Sequence, residues 1–184
     1  ALTATLGDIE ASYEVLKHLA KFSKSELTLV KRNAFAAPEI KMLFPQKGEY
    51  IPLAGHIGFS QLTSLAAALD PEETSLIFTN TRSQAEQWHE ALKAHFAETE
   101  HENIIALHHG SLEKTDREQV EEKVREGNIK WLICTASMDL GIDFQNIDCV
   151  YQIGSGKAIS RILQRAGRSK HRPGAKSKIV FVPT

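Results

Sequence analysis

The sequence WLICTASMDLGID occupies residues 131–143 and joins an apolar run of four residues to a string of hydroxyl-bearing, small and acidic ones. A short, continuously apolar run is typical of a strand that is buried on both faces, as strands are in parallel sheets. Four more runs that are nearly continuous in apolar residues lie at 76–79, 104–107, 147–153 and 179–182. The five runs predict the strands of a largely parallel sheet.

Segments in which apolar residues recur at helical spacing separate these runs. They lie before Pro71, over 85–96, before Gly127 and over about 158–167. Strands that alternate with helices predict an α/β fold, with an open, mostly parallel sheet, helices on both of its faces and right-handed crossovers. In such sheets ligands bind beyond the carboxyl ends of the strands.

Local signals are available for one helix start and for the first 56 residues. Ser83 and Glu86 have the spacing of a capping box at the start of the second helix. Before residue 57 the pattern is weaker, and it predicts a helix over 10–22 and strands over 27–31 and 40–44.

Composition narrows the class of protein. The chain has 184 residues, 42% hydrophobic and 24% charged, with 11 glycines and 6 prolines. These values predict one domain with at most a short extension, and they exclude disordered, coiled-coil and collagen-like chains. No run of 18 apolar residues and no basic leader is present, so we expect no membrane contact and no signal peptide. Cys134 and Cys149 lie in apolar runs and are expected to be reduced core thiols, which favours a cytoplasmic protein.

The formal net charge of −1 hides an uneven distribution of charge. Of the 22 basic residues, eight lie between Lys157 and Lys178, and no Asp or Glu follows Asp148. The rest of the chain therefore has 14 basic and 23 acidic residues, a charge of −9. A basic segment on an acidic body indicates a face for phosphates, with an ordinary solvated surface as the alternative.

Four polar clusters follow four of the predicted strands, at 79–82, 108–111, 135–143 and 154–157. Hydroxyls, small residues and glycines before a helix can present backbone N–H groups to an anion. Each cluster alone is also typical of an ordinary turn. Four of them at one edge of a sheet favour a surface that follows a chain of phosphates.

Three arginines are spaced to share a face of the last predicted helix. Arg161, Arg165 and Arg168 recur at intervals of four and three residues, so they project from the same side. With no carboxylate close by in the sequence, we expect an anionic partner to lie between them. Guanidinium suits bidentate phosphate contacts and the charge that develops in phosphoryl transfer.

Two further patterns do not support a site. Residues 154–157 resemble the end of a Walker A loop, G-x-x-x-x-G-K-S/T, but Tyr151 stands where its first glycine belongs and Ala158 where Ser or Thr is needed. His108 and His109 have no accompanying ligands at metal spacing, and adjacent residues at a strand end point to opposite faces. A turn or a nucleic-acid contact is therefore favoured there, and we predict no metal ligands.

Together the clusters resemble, in order and spacing, the second RecA-like lobe of superfamily-two helicases. Segments 75–82, 108–112, 135–143 and 164–172 resemble motifs IV, IVa, V and VI, and Leu2-Thr3-Ala4-Thr5-Leu6-Gly7 resembles motif III of the first lobe. The pattern from Thr135 to Asp143, the Gln164 that opens motif VI and the Arg-Ser-Lys-His-Arg-Pro-Gly ending resemble the Lhr group. Within it, the bacterial ligase-associated DEXH-box helicases are the most similar.

The resemblance implies a RecA-like fold of the P-loop NTPase type that lacks its own P-loop. Residues 1–24 are expected to be the tail of the first lobe with a linker, and residues 25–184 the second RecA-like lobe. The first lobe is expected to hold most of the ATP and Mg²⁺, so these 184 residues alone are expected to be inactive.

The resemblance also implies roles for single residues. Arg168 and Arg165 are expected to be catalytic, with Arg168 as the arginine finger on the γ-phosphate. The implied nucleotide contacts are Gln164, Arg165, Arg168, Gly141 and Asp143. The implied contacts to the nucleic-acid backbone are Thr81, Arg82, Gly110, Ser111 and Thr135. The sequence departs from the commoner family pattern at Lys170, which leaves open whether His171 or Arg172 is the last contact of motif VI.

The function predicted by this resemblance is the C-terminal motor lobe of an ATP-dependent DNA helicase or translocase. Its expected partners are single-stranded DNA or a duplex with a tail, the first RecA-like lobe of the same chain, and a DNA ligase or nuclease. Two alternatives stay open: a nucleic-acid-binding domain of this fold that does not hydrolyse ATP, and an RNA-directed helicase of the same superfamily.

Overall fold

The computed structural model of the protein describes residues 9–22, 28, 37–44, 58–139, 144, 147–169 and 176–184. Within these residues the chain forms five α-helices and six strands. In chain order they are α1 (Ile9–Phe22), β1 (Glu39–Met42), α2 (Leu62–Ala68), β2 (Ser75–Phe78), α3 (Arg82–His95), β3 (Ile105–His108), α4 (Lys114–Arg125), β4 (Trp131–Cys134), β5 (Cys149–Ile153), α5 (Ile159–Ala166) and β6 (Lys178–Val182).

The six strands form one sheet in the order β1-β6-β5-β2-β4-β3, and each pairing is parallel. The five strands predicted from apolar runs are confirmed, with ends that differ by at most two residues. The weaker signal over 40–44 corresponds to β1, and the signal over 27–31 lies outside the described residues except for residue 28. The predicted α/β fold with an open parallel sheet is therefore confirmed.

Helices cover both faces of the sheet. On one face, Trp88 and Leu92 of α3 share a hydrophobic cluster with Ile77 of β2. On the other face, Val124 of α4 shares a second cluster with Leu76 of β2. Neighbouring residues of one strand thus lie in different clusters, which explains why the strands are mostly apolar and show no regular alternation.

The start of α3 differs from the predicted capping box. The Thr81 hydroxyl accepts a hydrogen bond from the backbone N–H of Gln84 at 3.1 Å, which makes Thr81 the N-cap. The prediction with Ser83 and Glu86 is wrong because the chain becomes helical directly after Thr81, so Ser83 already lies in the first turn. The end of α4 is as predicted, since Gly127 follows it with a φ of +80°, a conformation that favours glycine.

Parallel pairing brings the carboxyl ends of the strands to one edge of the sheet. Phe78, the last residue of β2, lies beside Cys134 of β4 and Gln152 of β5. His108, the last residue of β3, lies on the other side of Cys134. The described parts of the four polar clusters therefore meet at this carboxyl edge.

Other sequence expectations concern membranes, thiols and domains. No helix in the described ranges is long and apolar enough to cross a bilayer. Cys134 and Cys149 are buried and free of disulfides, as expected. The segment that resembles motif III and the predicted domain boundary after residue 24 lie outside the described residues.

Gly156 allows the loop after β5 to approach α5. A Cβ at this position would overlap Cγ1 of Ile162, so we expect Gly156→Ala to destabilise the fold by about 1–3 kcal/mol, the usual effect of overpacking. The melting temperature should fall by about 2–4 °C for each kcal/mol in a chain of this size. Gly110→Ala is the control, because a Cβ at Gly110 meets nothing within 4 Å. Equal melting temperatures for the two variants would contradict this packing.

Candidate nucleotide and nucleic-acid site

Asp139, in the loop that follows β4, occupies the centre of the carboxyl edge. Arg165 of α5 donates from Nε to Asp139 Oδ1 at 2.7 Å and from Nη2 to Oδ2 at 3.4 Å. Nη1 of the same guanidinium donates to Oε1 of Gln152 in β5. The three residues are at most 7% exposed. A buried ion pair with an amide partner therefore joins the β4 loop, β5 and α5.

The Arg165 guanidinium also lies against an aromatic ring. Its Cζ is 4.3 Å from the ring centroid of Phe78, which is a cation–π contact in a desolvated setting. Burial raises the pKa of the neighbouring Cys134 thiol, so this sulfur is neutral. Arg165 is 1% exposed and faces Asp139, Gln152 and Phe78 instead of solvent.

Polar groups of α5 and of the turn after it converge on the same aspartate, since the helix ends at Ala166 and Arg168 lies beyond it. Arg168 Nη2 and Gln164 Nε2 donate to the Asp139 carbonyl oxygen, and Arg161 Nε lies 3.5 Å from Asp139 Oδ2. The sequence offers no carboxylate close to the three arginines, but the fold brings Asp139 to them from another strand end, 26 residues before Arg165. Arg168 is half-buried and Arg161 is exposed, so both belong to the rim of the site.

Glu86 links two of the predicted phosphate-contacting loops. Its Oε1 lies 3.5 Å from Nε of Arg82, at the exposed start of α3, and 3.3 Å from Nε2 of His109. His109 Nδ1 in turn accepts the backbone N–H of Ser111 at 3.2 Å. Arg82 and the loop at 109–111 therefore share one carboxylate, which any phosphate bound there must compete with.

The other predicted nucleic-acid contacts lie at the same edge. Gly110 and Ser111 are exposed, and the open space around Gly110 leaves its backbone accessible to a bulky ligand. Thr81 is exposed at the start of α3. Thr135 is half-buried, and its Oγ1 lies 3.4 Å from Oγ of Ser137.

His108 points away from its neighbour His109, as predicted for adjacent residues at a strand end. Its Nε2 lies 3.1 Å from Oε1 of Glu121 in α4, and its Nδ1 lies 3.1 Å from Oγ of Ser137. Burial lowers the pKa of His108 below its ordinary value and outweighs the opposite effect of Glu121. The ring is therefore neutral at pH 7. In the described ranges no group of three or more His, Cys, Asp or Glu side chains is suited to a metal ion.

Part of the predicted site lies outside the described residues, namely Gly141, Asp143, Lys170, His171 and Arg172. Sequence reasoning also missed the roles of four residues that organise the site, Asp139, Gln152, Glu86 and Glu121. Only Asp139 gave a signal, as an acidic residue within a polar cluster at a strand end. Glu86 and Glu121 have the pattern of ordinary solvated helix residues.

The parallel sheet and the arginine-bearing helix at its carboxyl edge define the C-terminal type of RecA-like helicase lobe. The model of the family described as helicase conserved C-terminal domain matches residues 59–174. The chain belongs to this family.

Its similar relatives are Lhr-type helicases. The ATP-dependent helicase Lhr-Core of Methanocaldococcus jannaschii is 38% identical over 145 residues, which are 79% of this chain and 17% of the relative. Lhr-Core of Methanothermobacter thermautotrophicus is 33% identical over 96% of this chain and 20% of the relative. The chain thus spans no more than a fifth of the length of these two relatives.

Solved structures agree on the fold. Mycobacterium smegmatis helicase Lhr bound to ssDNA and AMP-PNP superposes with a TM-score of 0.78 and 27% identity, over 91% of this chain and 22% of that one. Yeast (S. cerevisiae) Dbp5 bound to RNA and ADP BeF3 gives a TM-score of 0.68 at 23% identity, over 99% of this chain and 44% of that one. The second likeness concerns the fold alone.

Loss of the Arg165 side chain should lower the free energy of unfolding more than loss of Arg161, the other arginine of α5. Arg165→Ala leaves Asp139 and Gln152 buried without their main partner, so we expect a loss of about 3–5 kcal/mol in the free energy of unfolding. Arg165→Lys should also lower the free energy of unfolding by much of this amount, since an ammonium reproduces neither the two hydrogen bonds to the Asp139 carboxylate nor the stacking on Phe78. Urea unfolding measures both.

Arg161→Ala is the matched control on the same helix. The Arg161 side chain is 44% exposed, so its removal should cost less than about 1 kcal/mol. If Arg161→Ala and Arg165→Ala proved equally destabilising, the buried pair would not be the anchor of this edge.

Proposed function

We propose that this chain is the C-terminal motor lobe of an ATP-dependent DNA helicase or translocase of the Lhr type. In this proposal it supplies the arginine finger for ATP hydrolysis and part of the grip on the nucleic-acid backbone. The observation that carries the proposal is the position of Arg168, whose half-buried guanidinium lies on the Asp139 carbonyl at the carboxyl edge. A cation held there by a rigid anchor is suited to the charge that develops on a transferred phosphoryl group.

ATP with Mg²⁺ fits this chain on one side only. The sequence contains no G-x-x-x-x-G-K-S/T loop, whereas Gln164 and Arg168 place donors around Asp139 at the rim. Bound ATP supplies the phosphoanhydride bond whose cleavage drives movement. Arg168 would contact its γ-phosphate and Gln164 would add a donor from this side, with Gly141 and Asp143 as further predicted contacts, and the first lobe would hold most of the nucleotide and the metal.

In this proposal Arg165 supports ATP hydrolysis indirectly, by holding Asp139 in place. Its guanidinium is already surrounded by Asp139, Gln152 and Phe78, so it acts by holding the β4 loop and α5 together. This keeps the Asp139 carbonyl, and with it Arg168, in a fixed place.

The grip on nucleic acid uses donors to phosphate. The hydroxyls of Thr81 and Thr135, the guanidinium of Arg82 and the exposed backbone of Gly110 and Ser111 lie at one edge. Such contacts hold the backbone without reading bases. DNA is favoured over RNA because the Lhr helicase with 27% identity was bound to ssDNA.

The wider context is also part of the proposal. Residues 1–24 form the tail of the first lobe and a linker, and residues 25–184 form the second lobe, whose partner is the first lobe of the same chain. The two buried free cysteines favour a cytoplasmic location. Two predictions stay untested: that the chain belongs to the ligase-associated subgroup, and that a DNA ligase or nuclease is its partner.

Arg168→Ala tests the finger in the full-length protein that carries both lobes. We expect ATP turnover stimulated by single-stranded DNA to fall by about 10³-fold, because the charge on the γ-phosphate loses its cation. Affinity for single-stranded DNA should change by no more than a few-fold. ATPase assays and fluorescence anisotropy measure the two quantities.

Arg161→Ala controls for the loss of one positive charge from α5 and should keep turnover within about threefold of wild type, as expected for an exposed charge. The finger assignment is wrong if Arg168→Ala keeps ATP turnover within a few-fold while DNA binding falls. In that case the non-hydrolysing nucleic-acid-binding domain becomes the better account.

Arg82→Ala tests the grip on phosphate. Loss of one phosphate contact should reduce the slope of log affinity against log salt for single-stranded DNA by about 0.7. Lys93→Ala, at the far end of the same helix, should leave the slope unchanged. The same titrations with RNA of equal length decide the nucleic acid, since a clear preference for RNA would favour the RNA-directed alternative.

A further inference from the structure

His108 lies at the end of β3 between two groups that come from different parts of the fold. It is 2% exposed, with Nε2 at 3.1 Å from Glu121 Oε1 in α4 and Nδ1 at 3.1 Å from Ser137 Oγ in the β4 loop. Ser137 Oγ also lies 3.4 Å from Oγ1 of Thr135. Four side chains thus form a continuous row that ends at a residue of the proposed nucleic-acid grip.

The chemistry of these groups fixes the direction of each hydrogen bond. A carboxylate only accepts, so Nε2 of His108 carries the proton and donates to Glu121. Nδ1 is then an acceptor, and the Ser137 hydroxyl donates a hydrogen bond to it. Since Ser137 has one hydroxyl proton and donates it to His108, Thr135 must be the donor in the 3.4 Å contact between the two hydroxyls.

The surroundings of His108 keep the ring in this single tautomer. Glu121 is further held by Arg125, whose Nη2 lies 3.7 Å from its Oε2. Burial disfavours a positive charge on His108, and so, to a smaller extent, does the charge of Arg117 in α4, since both lower the pKa of His108. Both effects act against an imidazolium. An imidazolium would donate from Nδ1 to Ser137 and so reverse the direction of that hydrogen bond.

We propose that His108 is a positioning residue of the nucleic-acid grip. By accepting the hydrogen bond of the Ser137 hydroxyl, it leaves Thr135 as the hydroxyl of the β4 loop that donates to phosphate. This rests on the proposed function. The Thr135–Ser137 contact at 3.4 Å is the longest in the row and the easiest to exchange for a phosphate oxygen. The two contacts of His108, both at 3.1 Å, hold Ser137 in place while Thr135 turns.

Two near-isosteric variants each keep one of the two side-chain hydrogen bonds of His108 and remove the other. In His108→Asn the amide oxygen can replace Nδ1 as acceptor for Ser137, and in His108→Gln the amide nitrogen can replace Nε2 as donor to Glu121. We expect the affinity of the full chain for single-stranded oligothymidylate at low salt to fall about fivefold in His108→Gln, the effect of one lost hydrogen bond. His108→Asn should stay within about twofold of wild type.

Ser137→Ala should weaken binding to the same extent, and the double variant with His108→Gln should weaken it no further, because both remove the same contact. Ser137 is half-buried in a loop, so this variant decides the question even if the variants at His108 do not fold. His95→Gln, an exposed histidine on α3, is the control and should bind like wild type.

Nitrogen-15 NMR of the imidazole rings reads the tautomer directly. We expect His108 to be protonated on Nε2 and unprotonated on Nδ1 at pH 7. A proton on Nδ1, equal losses in the Asn and Gln variants, additive losses with Ser137→Ala, or wild-type affinity in Ser137→Ala would each overturn the role of His108. Failure of the wild-type chain to bind single-stranded DNA would instead overturn the proposed grip, and His108's role with it.

Discussion

The carboxyl edge of this lobe depends on the buried pair between Asp139 and Arg165. Desolvating two charges is costly, and the cost is offset only when geometry and additional partners are good. Here the carboxylate accepts two bonds from one guanidinium, whose remaining contacts go to Gln152 and to the ring of Phe78. The pair therefore ties α5 to three adjacent strands, β4, β5 and β2, at the point where their loops begin.

The same loop serves both halves of the proposed function. Asp139 faces α5 and accepts from Arg168 and Gln164. Ser137, two residues earlier, contacts His108 at the end of β3, and Thr135 contacts Ser137. A five-residue segment thus touches the proposed nucleotide side at one end and the proposed nucleic-acid side at the other. In the proposed function, a rigid anchor at one end would let a displacement of Arg168 reach Thr135, because packed elements transmit shifts between discrete arrangements.

Sequence reasoning succeeded where the pattern is local and failed where a partner comes from elsewhere in the chain. The strands through Leu76, Ile133 and Val150 were predictable because burial on both faces leaves few polar residues in the run. The opposite orientation of His108 and His109 follows from the period of two along a strand. The partner of Arg165 was not predictable in this way, since Asp139 becomes its neighbour only when β4 and β5 pair on either side of β2.

The same distinction applies to charge. The excess of eight basic residues between Lys157 and Lys178 suggests a strong positive field, yet Arg161 and Arg165 have Asp139 as partner, and Lys178 lies 3.4 Å from Glu73. Acidic residues of the body, distant in sequence, thus neutralise part of the basic segment in the folded chain. A screened and partly neutralised surface attracts phosphates weakly at long range. In the proposed function, selectivity therefore depends on a few cations and hydroxyls held in place, such as Arg168 and Thr135, more than on the total charge of the segment.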